Sequence, residues 1–439
     1  MSGFVPFETL DENKISANQS RNLHQPIPRE AALDMLFQHI QPIGTETVST
    51  ESALGRVLSE DVYAPVNLPP FNRSPLDGYA VRANDIAGAA PDNPVVLEIN
   101  REITLENVGQ SKLGKNQAAA IMTGSPFPSG ADVVIKLEDV KKTDNKKIRI
   151  FSSLPAFSNY CFAGEDIQKG ELVLDKGSVI DPTSVGILAG LGLSTVAVYR
   201  VPKVVIAGNG SELVNVHGQL KPGQVFDSNS YSIAAYVQKL GASPIYAGTT
   251  GDSTEMISRK ISEKIKTADM VIMTGGVSVG SRDLVKEALL LLGAKILFHR
   301  IAMRPGSPAL GAVKDGKLII CLSGNQSAAF VTFHLLALPV LAKLMGIEAQ
   351  QLIGTTAVLY NDYPKASKLR NFLRGRAFFD NGTLKVKISG KQNPGMIHST
   401  LYCNALIDVP AKTPYLEAGE QVDILLLHMP GLHPDWLPG

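Results

Sequence analysis

The chain has 439 residues, more than one hydrophobic core usually supports, and at about 150 residues per domain this length predicts roughly three domains. Hydrophobic residues make up 44% and charged residues 19%, a composition typical of globular proteins that argues against overall disorder. Because 42 Lys and Arg nearly balance 41 Asp and Glu, no bulk field favours nucleic acid or an anionic membrane, and neither is expected as a partner.

The N-terminal segment, residues 1–24, is polar and Asn-rich and lacks the apolar core of a signal peptide, which predicts a flexible tail. The longest apolar runs, such as 330–341, are shorter than the roughly 20 residues that span a bilayer. Cys161, Cys321 and Cys403 are far apart, a pattern that favours reduced thiols. We therefore expect a soluble, cytoplasmic protein.

The next two regions differ in their predicted secondary structure. In 25–62, apolar residues near helical spacing predict a helix from Pro28 and a second, short helix ending at Leu58. In 63–162, short β-rich pieces are interrupted by Gly, Pro, Asn and Asp at hairpin-like intervals, which predicts a small β domain. A charged turn, a helical stretch and a strand in 163–200 then return the chain to the first region.

The predicted secondary structure changes again in the second half of the chain. Residues 201–346 alternate strand, Gly-rich turn and helix, which predicts a doubly wound α/β domain with a parallel sheet and ligand sites outside the carboxyl ends of its strands. In 347–439 only β-rich pieces recur, which predicts an all-β domain. The expected fold class is multidomain, α/β plus β.

One strand end of the α/β region is a glycine-rich turn. The strand at 270–273 runs into Gly275, Gly276, Ser278 and Gly280, where backbone amides can approach a phosphate. The spacing matches neither a P-loop nor a dinucleotide fingerprint, so an ATPase and a nicotinamide enzyme both lose support. The turn predicts an anion site, and a tight turn without a ligand is the alternative.

Four carboxylates lie on or near strand–helix junctions of the same region: Glu212, Asp227, Asp252 and Asp283. Their charges would converge on one crevice unless a cation is bound there, and Mg²⁺ prefers such oxygen ligands. The pattern therefore predicts a magnesium site. For Asp252 and Asp283 the alternative is an N-cap of the following helix.

A positively charged turn, HRIAMRPGSP, carries Arg300 and Arg304 close to Ser307. Guanidinium groups bind a planar or tetrahedral oxyanion through paired hydrogen bonds better than ammonium groups do. The turn predicts an oxyanion site, with ordinary surface charge as the alternative.

A resemblance rests on seven blocks taken together. They are LPPFNRSPLDGYAVR with Asp77, IMTGSPFPSGADVVIKLED with Thr123, AGEDIQKGELVL, GQVFDSNS, VIMTGGVSVGSRD, RPGSPALG and LSGNQSAAFVTF. In order and spacing, from about Gln25 to the C-terminus, the chain resembles the MoeA and gephyrin E-domain family of molybdenum-inserting transferases.

The resemblance implies four folded parts after the tail. They are a discontinuous elongated domain (25–62 and 163–200), an inserted β domain (63–162), a MogA-like α/β domain (201–346) and a C-terminal β barrel (347–439). It also implies a head-to-tail homodimer, in which the β domain of one chain meets the α/β domain of the other.

The implied reaction consumes adenylylated molybdopterin and molybdate, uses Mg²⁺ and releases AMP. Carried over by position, Glu212, Asp252 and Asp283 are metal ligands and acid–base groups, while Asp77 and Thr123 act from the partner chain. The implied cofactor-binding residues are Gly275, Gly276, Ser278, Gly280, Arg300, Arg304, Pro305, Gly306, Ser323, Gly324 and Asn325. A molybdopterin adenylyltransferase and downstream apo-molybdoenzymes are the implied partners.

The chain departs from the family pattern in two loops. The usual TGDEL appears as NGSEL, so Ser211 replaces an aspartate and Glu212 remains. The usual LPGNP appears as LSGNQ, where Ser323 and Gln326 replace both prolines, which predicts a more mobile loop.

Polar residues of the last domain are further candidates for binding a pterin phosphate: Arg370, Arg374, Arg376, His398, Ser399 and Asn404. For His398 an ordinary surface or core histidine is the alternative.

Three functions remain open at this point. The first is the molybdenumtransferase, and the second is a non-catalytic relative that binds the cofactor or partner proteins as a scaffold, a reading motivated by the two altered loops. The third is a general nucleotide-processing enzyme such as a pyrophosphatase. A tungsten-inserting variant is also open, because tungstate and molybdate have the same charge and shape.

Overall fold

The structure is a computed structural model of the chain, and its contacts divide the chain into two compact units. It describes residues 25–103, 112–144, 146–251, 253–277, 283–347, 352–364, 366 and 368–428. The first unit spans Met1–Glu46, Gly55–Ser59 and Val198–Gly439, and the second spans Thr47–Leu54 and Glu60–Ala197. The predicted tail, residues 1–24, lies outside the described residues.

The first predicted helix is confirmed as α1 (Arg29–Phe37). The second predicted helix, ending at Leu58, is wrong, because this stretch forms strand β1 (Thr45–Ser49) and a 3₁₀ turn (Thr50–Ser52). The sequence TETVST is rich in β-branched residues, which favour extended backbone. Strand β1 pairs with the strand Thr195–Tyr199, and this pairing decides the conformation.

The second unit contains a six-stranded sheet, as the hairpin-like spacing predicted. The elements from here to residue 199 are β2 (Val62–Tyr63), β3 (Gly78–Val81), β4 (Val95–Glu102), β5 (Gln117–Ile121), β6 (Val133–Lys136), β7 (Val140–Asp144), β8 (Lys147–Ile150), β9 (Leu172–Leu174), α2 (Pro182–Gly190) and β10 (Thr195–Tyr199). The sheet order is β6-β3-β5-β4-β8-β7. Successive residues of β3 point into two different hydrophobic cores. Tyr79 and Val81 lie in one core, and Ala80 lies in the other.

The first unit contains a second six-stranded sheet, interleaved with helices. Between residues 203 and 322 this unit contains β11 (Lys203–Asn209), β12 (Leu213–Val214), β13 (Val225–Phe226), α3 (Ser228–Lys239), β14 (Ser243–Thr250), α4 (Thr254–Ile265), β15 (Met270–Thr274), α5 (Leu284–Leu291), β16 (Lys295–Phe298), β17 (Met303–Arg304), β18 (Leu310–Lys314) and β19 (Lys317–Leu322). Strands β12, β13 and β17 lie outside this six-stranded sheet. The order is β14-β11-β15-β19-β18-β16. The first four strands are parallel, as predicted, whereas β18 runs antiparallel to both of its neighbours.

The two faces of this sheet bury alternate residues of each strand. In β11, Val204 and Ile206 share a core with α3, while Val205 and Ala207 share a core with α4 and α5. Each buried apolar side chain stabilises the fold by about 25 cal/mol per Å² removed from water. Burial on both faces is the property that defines a doubly wound domain and directs ligand sites to the strand ends.

A long helix follows β19. It consists of α6 (Gln326–Thr332), a π-helical turn (Phe333–Ala337) and α7 (Leu338–Leu344). By length and composition its 19 residues would suffice to cross a membrane, but 89% of its most apolar window is buried inside the protein. Such burial is typical of a core helix.

The chain ends in a closed β barrel, as predicted. Its strands are β20 (Ile353–Leu359), β21 (Arg370–Asp380), β22 (Thr383–Ile388), β23 (Ala405–Val409) and β24 (Gln421–Leu426). The order is β21-β22-β20-β24-β23, and β23 pairs with β21 to close the barrel. Strand β17 adds to β21 in parallel, so the turn that carries Arg304 joins the barrel.

Candidate active site at the strand ends

The carboxyl ends of the four parallel strands meet at one edge of the α/β sheet. In their register Asn209 lies beside Thr250, and Thr274 lies between Gly208 and Leu322. A cavity of about 400 Å³, here called the strand-end cavity, opens at this edge and has the size of a small-molecule site. It is lined by Asn209, Glu212, Leu213, Val225, Phe226, Asp227, Ser228, Asn229, Thr274, Gly275, Gly276, Val277, Pro308, Ser323, Gly324, Asn325 and Gln326.

The glycine turn forms one wall of the strand-end cavity. Gly275 and Gly276 have φ angles of +85° and +70°, which other residues rarely adopt, and a Cβ on Gly276 would overlap the Asn209 side chain. The Gly275 amide donates to the Leu322 carbonyl at 3.0 Å. The amides of Gly276 and Val277 find no acceptor in the described part of the chain. The turn therefore needs glycine for its backbone and also leaves two amides available to an anion.

Asn209 is buried behind the glycine turn, at the end of β11. It is 3% exposed, and its Oδ1 accepts a hydrogen bond from Thr250 Oγ1 at 2.6 Å. A buried amide needs such a partner to offset its desolvation. The bond orients Asn209 in the cavity wall.

Two of the four predicted carboxylates line the strand-end cavity. Glu212 is exposed, and its carboxylate has no hydrogen-bond or ion-pair partner within the described ranges. Asp227 is 4% exposed and caps helix α3, where its Oδ1 accepts from the Ser230 amide at 3.0 Å. A Cβ on Gly208 would lie 2.7 Å from Asp227 Oδ2, so glycine is needed for this close approach. Two negative charges thus belong to one cavity.

Asp283 does not line the strand-end cavity. It caps helix α5, where its Oδ1 accepts from the Lys286 amide at 3.0 Å, and its Oδ2 lies 2.5 Å from Nε2 of the buried His299. The N-cap alternative is therefore confirmed for Asp283. Asp252 lies outside the described residues, among which no three His, Cys, Asp or Glu side chains form a metal-binding cluster. The three-carboxylate metal site stays a prediction.

The loop that lost both family prolines also lines the cavity and is held by neighbouring groups. Asn229 Nδ2 donates to the Gly324 carbonyl at 2.8 Å, and Ser323 Oγ accepts from the Asn325 amide at 3.3 Å. A Cβ on Gly324 would lie 3.2 Å from Gly275 Cα, so the two loops pack backbone to backbone. These contacts oppose the freedom expected from losing proline; greater mobility of this loop stays a prediction.

The positively charged turn HRIAMRPGSP, here called the arginine turn, has one described residue in the lining of the strand-end cavity, Pro308. Arg300 is half-buried, and its Nε is buried without an acceptor in the described part of the protein. Arg304 is exposed, and its peptide bond to Pro305 is cis. Gly306 has a φ of +94°, and a Cβ there would overlap a side chain of α6. The turn is thus tightly packed against the long helix.

Arg374, on β21, is fully buried and, like Phe372, lies on the strand face opposite the barrel core that Leu373 and Ala377 enter. Its Nε donates to Ser399 Oγ at 2.7 Å and its Nη2 donates to the Lys391 carbonyl at 3.2 Å, but its Nη1 is buried without a described acceptor. Burial lowers the pKa of Arg374 to about 10. Burial raises the pKa of Tyr363, and the positive charges of Arg374 and Arg304 both oppose that rise.

The other candidates of the last domain are placed differently. Arg370 donates to Asp408 at 2.7 and 2.5 Å and to Glu30 at 2.8 Å, a charge network that needs no ligand. Arg376 and His398 are exposed. Asn404 and Ser399 bond to the protein itself. Arg374 is therefore the member of this group that a buried anion would satisfy.

In the second unit, Asp77 and Thr123 meet directly. They flank the paired positions Gly78 and Ile121 of strands β3 and β5. Asp77 Oδ1 accepts from the Thr123 amide at 2.6 Å and from the Thr123 hydroxyl at 2.8 Å. These bonds lower the pKa of Asp77, so its exposed carboxylate stays ionised. Asp77 and Thr123, which were both predicted to act from the partner chain, thus form one hydrogen-bonded pair at the surface.

Three family models match the chain in succession. They are the MoeA N-terminal region (domain I and II) over residues 27–192, a probable molybdopterin binding domain over 205–343 and the MoeA C-terminal region (domain IV) over 356–427. The molybdopterin molybdenumtransferase of Bacillus subtilis (strain 168) is 37% identical over 406 residues, covering 92% of this chain and 94% of that protein. The chain belongs to the MoeA family.

Solved structures agree with this membership. Two crystal structures of the MoeA protein from Pyrococcus horikoshii are 31% identical to this MoeA-family chain, with TM-scores of 0.82 and 0.78. Each alignment covers 92% of this chain and 100% of the solved one. This MoeA-family chain is a transferase of molybdenum cofactor biosynthesis, as the seven blocks implied.

The structure of this MoeA-family chain sorts the predicted residues into three groups. The strand-end cavity brings together Glu212, Gly275, Gly276, Ser323, Gly324 and Asn325. Residues away from its lining are Asp77, Thr123, Asp283, Arg300, Arg304, Pro305 and Gly306. Those outside the described residues are Asp252, Ser278 and Gly280.

The lining residues that sequence reasoning missed include Asn209, Phe226, Asn229 and Gln326. Asn209 and Gln326 belong to NGSEL and LSGNQ, the two blocks that depart from the family pattern. That departure was the available signal. Phe226 precedes Asp227, but a single aromatic residue in a short strand carries no functional signal of its own.

Proposed function

We propose that this MoeA-family chain transfers molybdenum from molybdate to adenylylated molybdopterin and releases AMP. The strand-end cavity carries the proposal, because two amides with no acceptor among the described residues and two carboxylates share about 400 Å³ there. The Gly276 and Val277 amides suit the phosphates of a nucleotide. The name of the Bacillus relative, molybdopterin molybdenumtransferase, supports the same reaction.

Magnesium fits the donor set of this cavity. Protein-bound Mg²⁺ commonly keeps several waters and is held by one or two carboxylates together with substrate phosphates. The carboxylate of Glu212, which has no partner among the described residues, and the carboxylate of Asp227 would supply these protein ligands, with Asp252 as a further proposed ligand. When bound, the ion would offset charge on the pyrophosphate and polarise it.

Asp283 is proposed for acid–base work rather than for direct contact with the cavity. The Lys286 amide and His299 Nε2 each approach one of its carboxylate oxygens, so the carboxylate is held in one orientation. A carboxylate held beside an imidazole in this way is positioned for proton transfer.

The arginines are proposed to hold the oxyanion. Arg300 Nε and Arg374 Nη1 are buried without acceptors in the described part of the chain, and the charges of Arg304 and Arg374 both act on Tyr363. A doubly charged tetrahedral oxyanion would satisfy such donors through charge-assisted hydrogen bonds. Molybdate and tungstate are alike in this respect, so the choice of metal is left to experiment.

We further propose a cytoplasmic homodimer in which the Asp77–Thr123 pair of one chain completes the strand-end cavity of the other. The exposed, ionised carboxylate of Asp77 supports this role, because Thr123 is its one partner among the residues that the structure describes. A molybdopterin adenylyltransferase would supply the substrate, and apo-molybdoenzymes would receive the product.

A reconstitution tests the reaction. Purified protein, adenylylated molybdopterin, Mg²⁺ and either molybdate or tungstate are mixed, and AMP release and activation of an apo-molybdoenzyme are followed. We expect AMP release that depends on the oxyanion and yields active cofactor. Tight cofactor binding without AMP release would favour the scaffold, and AMP release without oxyanion would favour a pyrophosphatase.

Mixing two inactive variants tests the shared site. A heterodimer of Asp77→Ala and Glu212→Ala chains contains one cavity with both residues intact only if each site draws on both chains. We expect mixing to restore part of the activity. If each site belongs to one chain, the mixture will stay as inactive as its components, and a monomer in sedimentation would contradict the dimer directly.

A further inference from the structure

Phe226 is an exposed aromatic ring in the wall of a mostly polar cavity. The residue is 42% exposed and lines the strand-end cavity together with the glycine turn and the two carboxylates. No aromatic ring stacks on Phe226 within the described ranges. A large apolar ring left in contact with water at a ligand site forfeits the free energy that burial would provide.

The backbone holds this ring in place. The Val225 amide donates to the Glu212 carbonyl at 2.9 Å, and the Asp227 amide donates to the Val214 carbonyl at 3.0 Å. These two bonds pin β13 to β12 on either side of Phe226. Asp227 then caps helix α3, so the backbone is fixed on both sides of Phe226. A ring on a preorganised backbone loses less conformational entropy when a ligand stacks on it than a ring on a mobile backbone does.

We infer that Phe226 is the stacking platform for a planar nitrogen heterocycle linked to a phosphate, with the phosphate on the Gly276 and Val277 amides. The inference rests on the proposed function, because adenylylated molybdopterin carries two such heterocycles, adenine and pterin. A flat ring on Phe226 and an anion on the glycine turn would occupy two parts of one cavity. Stacking on an aromatic side chain tolerates either heterocycle, since each has a π-face.

Binding of small probes to the whole protein tests the inference. Calorimetry would compare AMP, neopterin monophosphate and ribose 5-phosphate on the wild type and on Phe226→Ala. We expect the variant to weaken binding of at least one heterocyclic probe by about 5- to 100-fold and to leave ribose 5-phosphate unchanged. The probe that is weakened identifies whether adenine or pterin lies on the ring.

Matched variants separate stacking from general effects. Phe226→Leu keeps most of the apolar area but loses the ring, and it should weaken the same probe as Phe226→Ala does. Phe379→Ala removes a 62% exposed ring from the barrel and should change nothing. The chain has one tryptophan, Trp436, so Phe226→Trp adds a fluorophore whose quenching by the probe, beyond that of the wild type, reports stacking.

Several results would overturn the inference. These are wild-type affinity of Phe226→Ala or Phe226→Leu for both heterocyclic probes, equal weakening of ribose 5-phosphate, or no binding of either heterocycle by the wild type. Failure of the proposed function is a separate result, because it is measured as loss of oxyanion-dependent AMP release by the wild type. Ring binding that depends on Phe226 would survive that failure.

Discussion

Two cavities of the same volume, about 400 Å³ each, lie at opposite ends of the α/β sheet. The strand-end cavity lies at the carboxyl ends of the parallel strands. The second, here called the amino-end cavity, is lined by Gln38, His39, Ile40, Gln41, Ile43, Asp269, Met270, Gly316, Lys317, Leu318, Val340 and Leu344. Volume alone therefore does not identify the functional site.

The state of the acidic and basic side chains Asp269, Lys317 and Glu212 separates the two cavities. At the amino end, Asp269 accepts from Arg200 at 2.7 and 3.1 Å and from the Lys203 amide at 2.7 Å. Lys317 donates to the Ile265 carbonyl at 2.6 Å. In the strand-end cavity, Glu212 has no partner within the described residues. Polar groups that the fold does not satisfy are the ones left for a ligand.

The largest expected effect comes from removing that unpaired charge. Glu212→Gln should lower molybdenum insertion by about 100-fold or more, because a charged group in a preorganised site supplies several kcal/mol. The thermal midpoint should not change, since the side chain is exposed and unpartnered in the described structure. Glu287→Gln, an exposed change on α5, is the control for activity. Full activity of Glu212→Gln would remove the distinction between the two cavities.

Gly276→Ala tests how tightly the wall of the strand-end cavity is packed. The added Cβ would overlap the Asn209 side chain at a φ of +70°, so we expect a loss of about 3 kcal/mol in unfolding free energy. Gly223→Ala is the matched control, because its φ is +84° but nothing lies within 4 Å, and it should lose about 1 kcal/mol. Equal losses of unfolding free energy in urea would show that backbone strain alone, and not close packing in the cavity wall, causes the loss.

His334 tests the helix that links the two cavities, which runs from Gln326 at one to Leu344 at the other. Its Nδ1 donates to the Phe330 carbonyl at 2.8 Å, and burial lowers its pKa to about 4. The unfolded chain therefore binds a proton first as the pH falls. Stability should decline below pH ~6.5, by about 2 kcal/mol at pH 5.

Urea unfolding at pH 7 and at pH 5 measures this decline. His334→Gln should remove that part of the pH dependence while leaving the remainder in place. An unchanged pH dependence in the variant would mean that other groups titrate over this range.

Asp269→Asn should affect stability and leave catalysis alone. The change weakens the bonds from Arg200 and from the Lys203 amide to a carboxylate that is 14% exposed, so we expect a loss of about 1–2 kcal/mol in unfolding free energy. Insertion activity per folded molecule should equal that of the wild type. A selective loss of activity at unchanged stability would give the amino-end cavity a function.

Gln326→Pro is expected to have the smallest effect. Asn325, with φ −69° and ψ 127°, already has the extended backbone that precedes proline, and Gln326 is the first residue of α6. The substitution should raise the unfolding free energy by about 0.4–1 kcal/mol, measured as a higher thermal midpoint. A lower midpoint would show that the Gln326 amide or side chain has a structural partner.

The comparison also shows what local patterns can predict. The glycine turn, Glu212 and the loop Ser323–Gly324–Asn325 were all found from strand ends and block order, because parallel strands carry their ligands there. Strand β21, with its three arginines, shows no regular apolar alternation, and the helix predicted before Leu58 was replaced by β1. In both places pairing with a distant strand outweighed the local signal.

The sequence by itself determined the family, the reaction class and the edge of the sheet at which the site lies, because block order and strand–helix alternation are local properties of the chain. Only the tertiary structure decided which carboxylates share the cavity. It brings Glu212 and Asp227 into one wall and turns Asp283 toward His299. It also exposes Phe226 and buries Arg374. These outcomes depend on contacts between residues far apart in the chain, and such contacts leave no periodic trace in the sequence.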